Sequence, residues 1–278
     1  MAQAIRGKLL ERQFLDRKVK DLECDSPPVA YPDYSAGEVV KILKDNKVGG
    51  VVVIDKTNLV QGIFTERDAV RWFGAVGSGY LEKPISDIMT REPEVIKEYA
   101  SIARAMYMMA KGGYRHLPVV DNGGKFSGLL LAKDFIDFIH KAFTKDLKVN
   151  FGIVVADNSA VSNFLASPLQ ILKPASPVTV SEESVLSEVL RKMGSEGIDC
   201  VVVVNEEGKI TGIFSSRDYI LKVSDACLEC DTVKISEVMT EKPKTSGVGN
   251  KVAFAFNMMS KGGYRHIPLT NIQNEPVG

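Results

Sequence analysis

The sequence KGGYRHLPVV at residues 111–120 recurs as KGGYRHIPLT at residues 261–270, which is 150 positions further along the chain. A second segment recurs with the same shift, because GIFTERD at residues 62–68 returns as GIFSSRD at residues 212–218. Two separate segments therefore share one spacing. This predicts that the second half of the chain is a structural copy of the first.

Each half is itself double, with a weaker repeat of 66 positions. VVVID at residues 51–55 matches LPVVD at residues 117–121, and Asp68 matches Asp134. The sequence therefore predicts four repeats, numbered here in chain order. The predicted boundaries are an N-terminal helix or extension at 1–16, repeat one at 17–77, repeat two at 84–144, a linker at 145–166, repeat three at 167–227, and a C-terminally incomplete repeat four at 234–278.

The repeats share one pattern of elements, β-α-β-β-α. In repeat one, a short extended piece around Val29 precedes a helix that begins with the capping-box sequence SAGE at residues 35–38. An apolar strand, a turn and a second strand follow. The last helix is predicted to begin at Arg67, and at Lys133 and Arg217 in repeats two and three. A unit of about 60 residues buries little surface alone, so we expect the repeats to pair.

Composition limits the classes of function. The 278 residues carry no net charge and are 45% hydrophobic, which is typical of a globular protein and unfavourable for nucleic-acid binding. The apolar runs are far shorter than the roughly 18 residues of a membrane span, and the first residues do not resemble a signal peptide. Four cysteines are few enough to predict unpaired thiols and a cytoplasmic location, and Cys227 and Cys230 are expected to be unrelated thiols in a loop. The nucleophile-elbow, zinc-protease and Walker A motifs are absent, so we expect no catalytic activity.

Two strand-to-helix corners carry the polar residues of interest. Thr65 with Asp68, and Ser215 with Asp218, stand where a strand ends and a helix begins. The first turn of a helix offers backbone N–H groups to phosphate, and a carboxylate can accept bonds from the two hydroxyls of a ribose. The same spacing is also that of a capping box, in which the two residues satisfy each other's backbone. Both interpretations stay open, and they are compatible.

The sequence resembles the cystathionine β-synthase (CBS) domain family. The resemblance rests on DIMT at residues 87–90, GYRHLPVV at residues 113–120 and GIFTERD at residues 62–68. It implies an α/β (α+β) fold in which the four repeats form two Bateman modules, each a pseudo-two-fold pair joined through its sheets, in a flat disc. It also implies a non-catalytic, energy-sensing regulatory protein that binds AMP, ADP, ATP or S-adenosylmethionine in clefts between paired repeats, needs no metal and acts on an effector protein.

The resemblance also implies which residues contact the nucleotide. They are Thr65, Asp68, Arg115, His116, Lys133, Asp134, Ser215, Asp218, Arg265 and His266. The aspartates at the corners would hold ribose, and the arginines, histidines and Lys133 would reach the phosphates of the neighbouring repeat. Alternatively, the basic side chains pair with acids or carbonyls, and Lys133 is solvated.

Two repeats depart from the pattern. Repeat two keeps Asp134 but has Leu131 in place of Thr or Ser, which puts its own ribose site in doubt. In repeat four the motif glycine would be Gly278, so the corresponding carboxylate would lie beyond the sequence. The rival expectation is a structural or dimerisation scaffold with no ligand, and a homodimer is compatible with either role. A nucleic-acid-binding disc is the third alternative, which the zero net charge disfavours.

Overall fold

The computed structural model describes residues 16–22, 27–137, 160–224 and 230–278. They form two compact units. The described part of the repeat-one/three unit comprises residues 27–93, 175–224, 230–247 and 268–278, and that of the repeat-two unit comprises residues 16–22, 94–137, 160–174 and 248–267. The predicted N-terminal extension lies outside the described residues except for Asp16.

Repeat one contains the predicted β-α-β-β-α series. Its elements are β1 (Val29–Ala30), α1 (Ala36–Asn46), β2 (Gly50–Ile54), β3 (Val60–Thr65) and α2 (Glu66–Val76). The capping box before α1 is confirmed, because Glu38 N donates to Ser35 Oγ at 3.2 Å and Ser35 N donates to Glu38 Oε2 at 2.7 Å. Helix α2 begins one residue before the predicted Arg67, since Thr65 is its N-cap.

The sheet of repeat one is completed by residues that the sequence assigns to repeat two. After α3 (Ile85–Ile88), strand β4 (Thr90–Arg91) pairs antiparallel with β3 and gives the order β1-β2-β3-β4. Met89 packs on Gly62, where a Cβ atom would overlap the Met89 sulfur. The Met and Gly of the two repeated motifs are therefore contact partners within one sheet.

The repeat-two unit is built around a three-stranded sheet in the order β5-β6-β7. Its elements are β5 (Ile96–Lys97), α4 (Ile102–Gly112), β6 (His116–Val120), β7 (Phe126–Leu131) and a helix that begins at Ala132. The opening of repeat one packs here, because Val19 N donates to the carbonyl of Ala100 at 2.9 Å and Val19 is fully buried. The opening segment of repeat one thus belongs to the repeat-two unit, and the opening segment of repeat two, which contains α3 and β4, belongs to the repeat-one/three unit.

The second half follows the same plan. Helix α5 (Ala160–Ala166) occupies the end of the predicted linker. Repeat three contains β8 (Thr179–Ser181), α6 (Leu186–Glu196), β9 (Cys200–Val204), β10 (Ile210–Ser215) and α7 (Ser216–Asp218), which continues as a π-helix over Tyr219–Val223. Next come α8 (Ile235–Val238) and β11 (Thr240–Glu241), which completes the order β11-β10-β9-β8. Met239 packs on Gly212 as Met89 does on Gly62.

The last segment has the element order of repeat two's first half. It contains β12 (Ser246–Gly247), α9 (Val252–Gly262) and β13 (Leu269–Thr270), with β12 parallel to β13 as β5 is to β6. The assignment of residues 234–278 to a fourth repeat stays a prediction. The α/β class itself is confirmed by the alternation of helices and sheets.

Repeats one and three share one hydrophobic core through helices α2 and α6. The helices approach closely at two glycines: a Cβ atom on Gly74 would lie 3.1 Å from the Leu190 carbonyl oxygen and 3.3 Å from Gly194 Cα. Two buried tyrosines lie in the same core, with the hydroxyls of Tyr80 and Tyr219 3.2 Å apart. Within this unit, repeats one and three therefore meet through helices.

One prediction about the cysteines is wrong. Cys230 is disulfide-bonded, while Cys200 is not part of a disulfide. Cys230 is only 5% exposed and belongs to the core of the repeat-one/three unit. The expectation that Cys230 is an unpaired thiol is thereby corrected. Sequence spacing alone could not decide this, because a disulfide depends on how closely folding brings the two Cα atoms together.

Candidate functional site

The corner of repeat one is a closed hydrogen-bonded pair. Thr65 N and Thr65 Oγ1 donate to Asp68 Oδ2 at 2.9 and 2.7 Å, and Asp68 N donates weakly to Thr65 Oγ1 at 3.4 Å. The pair forms because Thr65 ends β3 in an extended conformation and Asp68 is the third residue of the eleven-residue helix α2. The capping interpretation of this sequence is therefore confirmed.

The hydrogen bonds and the ion pair of Asp68 nevertheless offset only part of the energetic cost of burying its carboxylate. It is 8% exposed, and its second oxygen, Oδ1, lies 3.3 Å from Nη2 of the exposed Arg71. Burial raises the pKa of the Asp68 carboxyl above its ordinary value, and the hydrogen bonds from Thr65 and the charge of Arg71 offset only part of that effect. The corner thus holds a carboxylate that further donors would stabilise.

The corner of repeat three has the same pair with different neighbours. Ser215 N and Ser215 Oγ donate to Asp218 Oδ2 at 2.9 and 2.6 Å. On the other oxygen, Oδ1, Asp218 accepts from Thr240 Oγ1 at 3.0 Å and from Lys222 Nζ at 2.9 Å. Both oxygens of this carboxylate therefore have close partners within repeat three and strand β11.

Repeat two keeps a backbone version of the corner. Asp134 Oδ2 accepts from Leu131 N at 2.7 Å, which is the bond that Thr65 and Ser215 make in the other repeats. Leu131 cannot add a hydroxyl, in agreement with the doubt about this site. Lys133 Nζ lies 3.5 Å from Asp137 Oδ2, and the Lys133 side chain is half exposed. A contact of Lys133 with phosphate stays a prediction.

The four predicted phosphate-binding residues lie at or shortly before the start of a strand. Arg115 and His116 are at β6, and Arg265 and His266 come before β13. Arg115 and His116 are half-buried at the start of β6, and the Arg115 carbonyl accepts from Ala132 N at 2.9 Å. Arg265 and His266 are likewise half-buried, after the end of α9. All four belong to the repeat-two unit, whereas Thr65, Asp68, Ser215 and Asp218 belong to the repeat-one/three unit. Their joint action on a phosphate stays a prediction.

Sequence reasoning missed the residues that join the two corners. Arg67 Nε donates to Asp199 Oδ1 at 2.8 Å, and Arg67 Nη2 donates to Asp199 Oδ2. Arg217, the matching residue of repeat three, lies 3.7 Å from Glu66 Oε1 and donates to the Lys47 carbonyl at 3.2 Å. The available signal was the arginine shared by TERD and SSRD, one residue before each aspartate.

Neither a metal centre nor a membrane span is found in the part of the chain that the structure describes. No group of three or more His, Cys, Asp or Glu side chains there is placed to hold a metal ion. No helix there combines the length and apolar character needed to cross a membrane.

Comparison with known proteins decides the family. The CBS domain model matches residues 19–75, 85–141 and 171–225, which together make up more than half of the chain. The chain belongs to the CBS domain family. The three matched segments contain the two hydroxyl–carboxylate corners and the leucine-substituted corner of repeat two, so each corner is a feature of a CBS repeat in this protein.

Relatives and solved structures agree with this family and fold. The CBS domain-containing protein CBSCBSPB1 of Arabidopsis thaliana is 25% identical over 281 residues, covering 94% of this chain and 52% of the plant protein. CBSCBSPB5 of the same plant is 25% identical, covering 86% of this chain and 47% of its own. The chain therefore spans about half the length of the curated relatives it matches.

Two archaeal structures have the same fold over nearly the whole chain. Protein MJ1225 of Methanocaldococcus jannaschii superposes with a TM-score of 0.77 at 18% identity, covering 94% of this chain and 96% of its own. An uncharacterised conserved protein of Pyrococcus horikoshii gives a TM-score of 0.58 at 19% identity, covering 94% and 95%. At these identities the likeness concerns the fold.

Proposed function

We propose that this CBS protein is a non-catalytic regulatory module that binds an adenine nucleotide, AMP, ADP or ATP, and passes the bound state to a partner protein. The observation that carries the proposal is the buried Asp68 carboxylate in the Thr65 corner, at the start of an eleven-residue helix. A cytoplasmic location and independence from metal ions are part of the same proposal.

The chemistry of the corner supports a ribose. Asp68 Oδ2 is engaged by Thr65, while Oδ1 lies 3.3 Å from Nη2 of Arg71, whose side chain is 56% exposed. Vicinal ribose hydroxyls can donate to Oδ1 and replace Arg71 there. Such bonds to a charged acceptor contribute roughly 1.5–3 kcal/mol each. A buried carboxylate with a raised pKa gains from new donors, which favours a ligand at this place.

Phosphate would be held by cationic side chains and helix N-H groups. The proposal assigns this role to Arg115, His116, Lys133, Arg265 and His266. Arginine suits phosphate because its planar group donates two parallel bonds. A nucleotide that binds one conformation of the chain better than another would shift the population toward that conformation, which a partner protein can detect.

The second candidate function, a scaffold with no ligand, is favoured by a specific observation. Thr65–Asp68 and Ser215–Asp218 are complete capping boxes, and each stabilises its own helix start without any ligand. Under this alternative, the two corners are architecture only, and the repeats serve to hold the chain or a second copy together.

Thermal unfolding in the presence of ligands separates the two functions. We expect millimolar AMP, ADP or ATP to raise the unfolding temperature by a few degrees, because a ligand at a hundred times its Kd adds about 2.7 kcal/mol. S-adenosylmethionine contains adenosine but carries a methionine group in place of phosphates, so it tests recognition of the adenosine alone. GMP, which differs from AMP in its base, is the control for base specificity. An absence of any shift with all adenosine ligands would support the scaffold.

A further inference from the structure

The corners of repeats one and three differ in what holds the second carboxylate oxygen. In repeat one, Arg71 reaches Asp68 Oδ1 at 3.3 Å from an exposed position. In repeat three, Lys222 Nζ reaches Asp218 Oδ1 at 2.9 Å, and the Asp218 side chain is 14% exposed. The position of Arg71 corresponds to Leu221, so the two cations come from different places in the repeat.

Lys222 is fixed by more than this ion pair. Its Nζ also donates to the carbonyls of Val238 and Met239 at 3.0 and 3.2 Å, and it lies 3.2 Å from Thr240 Oγ1. An ammonium group has three protons, and these four oxygens saturate it. The residue lies in the π-helical turn Tyr219–Val223, an uncommon geometry that is often found at functional sites.

In repeat one, the position that corresponds to Lys222 is occupied by an uncharged side chain. Trp72, 150 positions before Lys222, donates its indole Nε1 to the Ile88 carbonyl at 2.9 Å, and Ile88 is the counterpart of Val238. Trp72 therefore binds the end of the short helix that precedes β4, and Lys222 binds the end of the short helix that precedes β11. Only the lysine also places a positive charge on the carboxylate of the corner.

We propose that Lys222 is a specificity-determining residue that closes the repeat-three corner to ribose. Its ammonium occupies Asp218 Oδ1, the oxygen that ribose hydroxyls would need. Three further oxygens, of Val238, Met239 and Thr240, also hold Lys222 in place, so ribose does not displace it. Among the described residues, Arg71 makes one ion pair, to Asp68 from an exposed position, and it gives way. The inference rests on the proposed nucleotide binding and assigns it to the corner of repeat one in preference to that of repeat three.

The test counts AMP molecules per chain by isothermal titration calorimetry. Lys222→Trp copies repeat one, and Lys222→Met removes the charge and keeps an unbranched stem. We expect either variant to bind one more AMP than the wild-type chain, and the additional site to disappear when Asp218→Asn is added. Lys209→Met, which removes a turn lysine paired with Glu207, is the charge-matched control and should leave the number of sites unchanged.

Each other outcome has a definite meaning. Loss of a site in Asp218→Asn alone would show that repeat three already binds AMP, and this would overturn the closing role of Lys222 while leaving the proposed function intact. An unchanged number of sites in both Lys222 variants, with binding by the wild-type chain, would do the same. Absence of binding by the wild-type chain and by both variants would overturn the proposed function together with this inference. Circular dichroism of each variant confirms that it is folded.

Discussion

The guanidinium of Arg67 and the carboxylate of Asp199 form a two-pronged ion pair that joins repeat one to repeat three. Asp199 is buried, and its Oδ1 also lies 3.4 Å from the hydroxyl of Ser216, at the start of the repeat-three helix. Arg67 lies one residue before Asp68. The ion pair therefore links the two corners, and a movement of either helix start alters the surroundings of the other.

Loss of this pair should cost stability. In Arg67→Ala the buried Asp199 carboxylate loses its charged partner. We expect a decrease of about 2 kcal/mol in the free energy of unfolding, less than the 3–5 kcal/mol of a fully buried pair because Arg67 is partly exposed. Urea denaturation measures the change. The control is Arg191→Ala, whose partner Asp231 is well exposed, and it should change stability by less than about 0.5 kcal/mol. Equal losses in the two variants would contradict the role given to Arg67.

The contact between helices α2 and α6 depends on the absence of a side chain at Gly74. A methyl group there would lie 3.1 Å from the Leu190 carbonyl oxygen, and the facing Gly194 offers no flexible side chain that could move aside. We expect Gly74→Ala to lower the free energy of unfolding by about 1–2 kcal/mol, because overpacking exceeds the gain in helix propensity. Thermal unfolding provides the measurement.

A second glycine is the matched control for that substitution. Gly37 lies in helix α1, and a Cβ atom there would be 3.4 Å from its nearest neighbour, the Leu81 carbonyl oxygen. Gly37→Ala should therefore be neutral or stabilise the protein by up to about 1 kcal/mol. Stabilisation by Gly74→Ala as well would show that the helices do not approach as closely as described.

Local patterns predicted much of the fold and part of the site. The SAGE sequence before α1 predicted its capping box because that motif is satisfied by residues three apart, and the spacing of Thr65 and Asp68 did the same at the corner. The Arg67–Asp199 pair could not be predicted, since its members are 132 positions apart and meet only through the packing of two helices. Trp72 and Lys222 were missed for another reason. They make the same bond to a helix-end carbonyl but are different residue types, so comparison of the repeats does not reveal their shared role.

The burial of Asp68 predicts a pH dependence of stability. Because burial raises the pKa of Asp68 above its ordinary value of 3.8, the folded chain binds this proton more tightly than the unfolded chain. The contribution of Asp68 to the free energy of unfolding therefore falls as the pH rises from about 3.8 through the pKa of the folded state, and stays constant above it. Asn at this position does not titrate.

Denaturation of the wild-type chain and of Asp68→Asn between pH 4 and 7 tests this expectation. The stability of the wild-type chain relative to the variant should decrease as the pH rises from 4 and then stay constant above the pKa of the folded state. A relative stability that rises with pH would mean that donors in the corner outweigh the cost of burial, with a lowered pKa of Asp68.

The affinity for AMP of the wild-type chain and of Asp68→Asn tests the central proposal most directly. Asn keeps an oxygen for the bond from Thr65 N but removes the charge that would receive the ribose hydroxyls. Loss of one to two charge-assisted bonds predicts a Kd at least about tenfold higher in the variant, while Asp231→Asn, an exposed aspartate, leaves it unchanged. An affinity that is equal in wild-type and Asp68→Asn chains, or no measurable binding by the wild-type chain, would contradict a nucleotide site at this corner.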